Sequence, residues 1–455
     1  MILLQSCRAL APYAGAERLE GWDILIRGPR IAEVGRGLSP RPEAGEELRV
    51  IDCSRLAVVP GFINTHHHFY QTLTRALPAV QNVPLFSWLK ALYEIWKRLD
   101  EEAVYWSSLL AMGELLKTGC TATTDHHYLY PRGVRADLMG VQFEAAAVLG
   151  MRFAPCRGSM SLSRKDGGLP PDSVVQSDEE ILKDSLRVIE TYHDGSELSM
   201  RRIALAPCSP FSVTRGLMEE TVRLARTYGV RLHTHLAETA DEERYCLSSH
   251  GRRPLALMMD WGFVGPDVWY AHGVHFNDEE LEVLASTGTA VAHCPSSNMR
   301  LGSGIARVRE MLDRGITVGL GVDGSASNDS SDFLGEMRQA MLLQRVRYGA
   351  SGLRAQEVLA MATEHGARIL DFPRCGRLEP GWAADLALFD LGRLDYAGAQ
   401  ADPIAALVFA GISHQAEYTI VNGRITVEKG RLTGYDEEAI AEKANLLAAR
   451  LLQGS

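Results

Sequence analysis

Eight runs of apolar and β-branched residues recur along the middle of the chain, at 58–65, 118–124, 151–156, 202–208, 230–235, 268–272, 289–293 and 316–323. Each ends in polar or metal-competent residues, and stretches with helical periodicity, such as 217–228 and 278–286, lie between them. Strands that alternate with helices argue for a parallel sheet, and eight such units predict an α/β fold, a (β/α)8 TIM-like barrel over 58–375. The nearly unbroken apolar run Thr317-Val318-Gly319-Leu320-Gly321-Val322 fits a strand covered on both faces. In such a barrel the reactive groups gather at the carboxyl ends of the strands.

The two ends of the chain have another rhythm. Alternating strand-like pieces at 22–27 and 30–34 are matched by pieces at 385–389 and 418–426, the latter with a hairpin-like Asn422-Gly423. They predict a small β-sandwich built from 1–57 and 376–430, followed by a C-terminal helix within 431–455. Two segments read as long loops. One, 71–100, is rich in aromatics; the other, 163–178, carries Gly167-Gly168-Leu169-Pro170-Pro171. Loops of that length are often lids, and surface elaboration is the alternative.

Composition narrows the function. With 46% hydrophobic and 23% charged residues the chain is an ordinary globular protein, and a formal charge of -10 argues against nucleic acid as a partner. A small neutral or cationic substrate is easier to accommodate. The eight cysteines are scattered without a CxxC pair, the pattern of reduced thiols in a cytoplasmic protein. Met1-Ile2-Leu3-Leu4 lacks the basic flank of a secretory signal, and no apolar run approaches the roughly 18 residues of a membrane helix, so no membrane association is expected.

The chemistry concentrates in Pro60-Gly61-Phe62-Ile63-Asn64-Thr65-His66-His67-His68. Side chains alternate along a strand, so His66 and His68 point one way and His67 the other. Further candidates end later strands: His235, His272 and Asp323. Imidazoles plus a carboxylate at an open site suit zinc, with iron as the alternative, and leave a position for a water whose pKa falls toward neutrality. A purely structural zinc would be expected to use cysteine. The run Arg202-Ile203-Ala204-Leu205-Ala206-Pro207 offers no lysine to bridge two ions, which favours one divalent metal.

Taken in order, the HxH run, His235-Leu236-Ala237-Glu238, His272 and Asp323 resemble the amidohydrolase superfamily, in its branch of mononuclear deaminases and triazine hydrolases. The resemblance covers nearly the whole chain, including Gly381-Trp382-Ala383-Ala384-Asp385-Leu386 near its end. It implies that His66, His68, His235 and Asp323 bind the metal, that Glu238 carries a proton to a substrate ring nitrogen, and that His272 holds the attacking water or the developing oxyanion. Without the resemblance, the lesser alternative for Glu238 is a carboxylate at a helix N-terminus, stabilised by the helix dipole. His233 shares the inward face with His235 but matches no ligand of the family. His126, His127, His275 and His293, also near strand ends, are assigned supporting or substrate-facing positions.

Gln71, three residues after His68, resembles the HxHxxQ of guanine deaminases; a side-chain amide can pair with the carbonyl and ring N–H of a lactam, or simply tie down a loop. The run 79–89 together with Cys208-Ser209-Pro210-Phe211-Ser212 looks closest to 8-oxoguanine deaminases. Cys208 stands where many relatives that act on adenosine-type substrates have histidine. Trp88 is placed to stack on a flat heterocycle or to pack in the core, and Ser327, in the loop after the eighth strand, joins the substrate-binding set. The resemblance implies hydrolytic deamination of an amino-substituted purine-like heterocycle, 8-oxoguanine to urate and ammonia, by a homo-oligomer. The alternatives are an s-triazine amino- or chlorohydrolase and a guanine, isocytosine or pterin deaminase. A non-catalytic protein on the same scaffold is disfavoured, because the metal-shell and proton-transfer residues are all present.

Overall fold

A computed structural model describes residues 1–410 and 415–453. The centre of the molecule is a ten-stranded, all-parallel sheet with helices packed outside it, an α/β architecture. Chain order is followed from Phe62–Asn64 through Ala204–Pro207, Arg231–Leu236, Val268–His272 and Ala290–His293 to Val318–Leu320, which pairs back onto the first strand through Leu320 and Asn64. The second and third expected strands are each broken in two. Cys120–Thr123 pairs with Arg152–Phe153, and His126–His127 pairs with Cys156–Ser159. Pro155 falls in one of these breaks, where a residue with no N–H cannot donate to the ladder.

The expected strand at 58–65 needs correction. Leu56–Pro60 pairs antiparallel with Leu386–Asp390 in a separate six-stranded sheet, and only Phe62–Asn64 joins the parallel one. The switch falls at Gly61, where a Cβ would lie 2.2 Å from the Thr121 side chain, so a bulkier residue would block the passage between sheets. The six-stranded sheet runs Ala9–Leu10, Leu56–Pro60, Leu386–Asp390, Tyr418–Val421, Arg424–Glu428, Arg431–Leu432. A four-stranded sheet of Arg30–Gly35, Trp22–Arg27, Ile2–Cys7 and Arg49–Asp52 shares one buried cluster with it, in which Leu4, Ile24 and Ile26 meet Val58, Leu386 and Ile420. A buried ion pair, Arg152 Nε to Asp385 Oδ2 at 2.8 Å, ties the parallel sheet to this terminal region.

The segment 71–100 is not a loop. After two 3-10 turns, Phe69–Thr74 and Pro78–Val80, it forms the helix Leu85–Trp96. Leu85, Trp88, Leu89, Leu92 and Trp96 recur at three- and four-residue steps and bury one face, a helical period hidden in the sequence by its aromatic content. That face shares a cluster with Leu447 and Leu451 of the C-terminal helix Glu437–Gln453, so the end of the chain backs the element that roofs the site. The segment 163–178 does contain only short turns, Arg164–Asp166 and Asp172–Val174. All eight cysteines are free and buried. Among the described residues, no helix is long and apolar enough to cross a membrane.

Candidate active site and metal centre

His66, His68 and Asp323 form one group of donor atoms close enough to hold a metal ion, and His235 adjoins it, with its Nε2 3.1 Å from His68 Nε2. Asp323 Oδ1 lies 3.3 Å from His66 Nε2 and 3.4 Å from His68 Nε2. All four side chains are buried or nearly so.

Backbone carbonyls fix the tautomers. His68 Nδ1 faces the carbonyl of His126 at 2.8 Å, and His235 Nδ1 faces that of Cys208 at 2.6 Å, so both Nδ1 atoms donate and both Nε2 atoms carry lone pairs. His66 is set through a relay. His233 Nδ1 donates to the carbonyl of Trp269 at 2.9 Å, which leaves its Nε2 to accept from His66 Nδ1 at 2.9 Å, and His66 Nε2 is left with a lone pair and no hydrogen bond. Burial depresses the pKa of His66 and His68 and brings His235 to about 3, so the imidazoles are neutral. Burial pushes the Asp323 carboxyl up, while positive charge at the adjoining His66, His272 and His68, the position a bound cation would take among neutral rings, draws it well below the usual carboxylate range. Three lone pairs and a carboxylate thus converge with no donor among them. Lone pairs 3.1 Å apart repel unless a cation lies between them, and this donor set fits a divalent metal of the zinc type.

Beside this cluster Glu238 Oε2 stands 3.6 Å from His272 Nε2, both side chains buried. Burial lifts the Glu238 carboxyl to about 7; His272 opposes the lift and Asp323 adds to it. Asn298, also buried, meets His272 Nδ1 through Oδ1 at 2.9 Å. Ala237, His272 and Asp323 have φ of 53°, 73° and 66°, a left-handed conformation that non-glycine residues rarely adopt and that concentrates at functional sites.

One cavity brings the remaining expected residues together: Gln71, Trp88, Cys208 and Ser327 line it with His68, His235, Glu238, His272 and Asp323. Gln71 is buried with its Oε1 unpartnered, and Gly324 packs so closely that a Cβ there would lie 2.0 Å from that oxygen. Ser327 Oγ donates to Asp323 Oδ2 at 3.1 Å, which places it on the carboxylate as well as on the cavity wall. Trp88 lines the cavity and packs edge-on against Trp96. Burial pushes the Cys208 thiol up to about 12, so it is a neutral wall residue and no nucleophile at ordinary pH.

The other histidines divide. His67 points away and bonds Ser331 Oγ at 3.0 Å; His275 bonds the carbonyl of Ser303 at 3.0 Å. His126 Nε2 donates to the carbonyl of Ala206 at 2.9 Å, and its ring stacks on His235. His127 and His293 are buried with neither ring nitrogen bonded, and neither lines the cavity. Sequence reasoning missed Tyr128, Tyr93 and Leu301 on the cavity wall, and Asn298 behind His272. Tyr128 directly follows the His126-His127 pair, and that strand end was the available signal.

Comparison with known proteins agrees with this arrangement. Residues 57–426 match the model of the Amidohydrolase family. The chain is 46% identical to an 8-oxoguanine deaminase of Pseudomonas aeruginosa, over 95% of each chain. It is 37% identical to a hydroxydechloroatrazine ethylaminohydrolase of Pseudomonas sp., over 96% of this chain and 92% of that one. The crystal structure of an atrazine chlorohydrolase from Arthrobacter aurescens TC1 complexed with zinc superposes with a TM-score of 0.93 at 34% identity, covering 98% of this chain and 100% of that one. The chain belongs to the amidohydrolase family and is an enzyme.

Proposed function

We propose that this enzyme hydrolytically deaminates an amino-substituted, purine-like heterocycle, with 8-oxoguanine, converted to urate and ammonia, as its substrate. The observation that carries the reading is the convergence of the lone pairs of His66, His68 and His235 with the Asp323 carboxylate, next to a Glu238 lifted to about 7. These four residues would hold one divalent ion, zinc with iron as the alternative, which when bound acidifies water and polarises the carbon under attack. Glu238 exchanges protons between the attacking water and the ring nitrogen, a task suited to a carboxyl whose pKa lies near working pH. His272, oriented through Nδ1 by Asn298, supports the oxygen that gains charge. Gln71 offers the unpartnered Oε1 and its amide N–H to the lactam face, and Trp88 bounds the ring plane.

The same reading takes the chain from Phe62 to residue 375 as a (β/α)8 barrel, supported by the pairing of its last strand with its first. It takes the residues up to Pro60 with 376–430 as a β-sandwich, supported by the shared cluster, followed by the C-terminal helix Glu437–Gln453. Removal of chloride or an alkylamine from an s-triazine is the second reading, favoured by the likeness to the atrazine chlorohydrolase. Metal analysis tests the first part of the proposal. About one equivalent per chain is expected, with activity lost on chelation and restored by zinc or ferrous iron; full activity in metal-free protein would overturn it.

A further inference from the structure

Among the described residues, three helices begin with a Ser, Thr or Asn cap followed three residues later by Glu, and one of them departs from the pattern. Before Asp178–Tyr192 and Asp278–Thr287 the Glu side chain turns back to its own cap residue: Ser177 N donates to Glu180 Oε2 and Asn277 N donates to Glu280 Oε2, each at 2.9 Å. That is the usual capping box. The helix Ala240–His250 has the same spacing, with Thr239 Oγ1 accepting from Glu242 N at 3.4 Å. Its Glu242 carboxylate passes the cap and goes further back, accepting from Ala237 N through Oε1 at 3.0 Å and from Glu238 N through Oε2 at 2.9 Å.

The two N–H groups so held belong to the turn that carries Glu238 into the cavity. Ala237, at φ 53°, has left the strand Arg231–Leu236 in a left-handed conformation that an alanine does not favour and that must be imposed from outside. On its other side the turn is held by Ala237 O, which accepts from His275 N at 2.9 Å. Glu242 is buried, and the charges that act on it are the carboxylates of Glu238 and Glu243. An acidic side chain buried there with no cation beside it costs stability, whereas a solvated capping box would cap the helix without that cost.

We infer that Glu242 is a positioning residue for Glu238: its two carboxyl oxygens accept from the consecutive peptide N–H groups of Ala237 and Glu238 and set the direction in which the Glu238 side chain enters the pocket. The inference rests on the reading of Glu238 as the proton carrier. Misplacing a reacting group by about 1 Å can lower a rate by roughly a hundredfold, so loosening this clamp acts on turnover.

The test is a double-substitution cycle on the metal-loaded protein, with kcat, KM and metal content read for each variant. Glu242→Gln presents an amide NH2 to one of the two N–H groups; kcat is expected to fall about tenfold to a hundredfold, with KM changed less than about threefold and metal content unchanged. In a Glu238→Gln background the same change should lower the residual rate by less than about threefold, because the group being positioned is already gone. Multiplicative effects would overturn the inference and leave Glu242 a structural residue. If Glu242→Gln does not fold, Glu242→Asp, which keeps the carboxyl on a shorter side chain, is taken through the same two backgrounds and decides in the same way. If Glu238→Gln alone leaves turnover intact, the role of Glu238 fails first, and that outcome is distinct from a failed cycle.

Discussion

Glu238 and Asp323 are both buried carboxyls in one cavity, yet their surroundings drive them apart. Asp323, beside His66, stays ionised, while burial lifts Glu238 to about 7. A carboxyl that trades protons near neutrality is a shuttle and one that does not is a ligand. Glu238→Gln should therefore keep its metal and lose roughly a hundredfold or more in kcat, whereas Asp323→Asn should lose metal and rate together. Metal content and steady-state kinetics on both variants check this; a Glu238→Gln enzyme that lost metal but kept its rate per bound ion would contradict it. If Gln71 pairs with the lactam as proposed, Gln71→Leu should lower kcat/KM for 8-oxoguanine by an order of magnitude or more, the worth of a buried hydrogen bond of roughly 1–3 kcal/mol. The metal-competent residues were legible in sequence because strand alternation and strand-end position are periodic signals. Glu242 and Asn298 were not: the Thr239-to-Glu242 spacing reads as an ordinary capping box and does not reveal that Glu242 reaches back to Ala237 N and Glu238 N, and Asn298 acts from a six-residue helix, Pro295–Arg300.

Elements show the same division. Val268–His272 falls where its apolar run predicts, and the pieces at 22–27 and 30–34 are the strands Trp22–Arg27 and Arg30–Gly35. The run at 58–65 misled because two strands of different sheets follow one another with only Gly61 between them, and hydrophobicity alone does not mark a change of sheet. The aromatic stretch 71–100 hid a helix because its apolar positions are large side chains, which read as a lid before their period is counted. Where the parallel sheet meets the terminal sheets, Arg152 and Asp385 are almost fully buried, and Asp385 Oδ1 also accepts from Asn422 N at 2.6 Å. Asp385→Ala strands a buried guanidinium. Urea unfolding should show a loss of about 3–5 kcal/mol, and a loss under about 1 kcal/mol would mean that the junction does not depend on this pair.

For the molecule as a whole, buried titratable groups give stability a pH dependence whose sign can be worked out. Burial raises Glu242 and Glu336 to about 8 and Asp125 to about 7, so the folded state keeps protons that the unfolded chain releases near 4. Their contribution is complete below the unfolded values and is lost as pH rises through 7 to 8. His67, His127 and His293, depressed to about 3 by burial, work in the opposite direction, but mostly below their unfolded value of 6.5. By about pH 7.5, a unit above the unfolded histidine value, the histidine contribution is nearly complete and the carboxyls dominate. Denaturant unfolding of the metal-loaded protein should give lower stability at 8.5 than at 7.5, and Glu336→Gln should flatten the decline; a rise over that interval would contradict the assignment.

The most direct measurement is ammonia release by the metal-loaded enzyme from 8-oxoguanine, adenosine, S-adenosylhomocysteine and an aminotriazine, with chloride release from a chlorotriazine in parallel. A pocket that reads a lactam through Gln71, beside a neutral Cys208, should give 8-oxoguanine the highest kcat/KM by orders of magnitude, because analogues without the lactam leave buried polar groups unpaired. A higher kcat/KM for the chlorotriazine, or for adenosine, would contradict it.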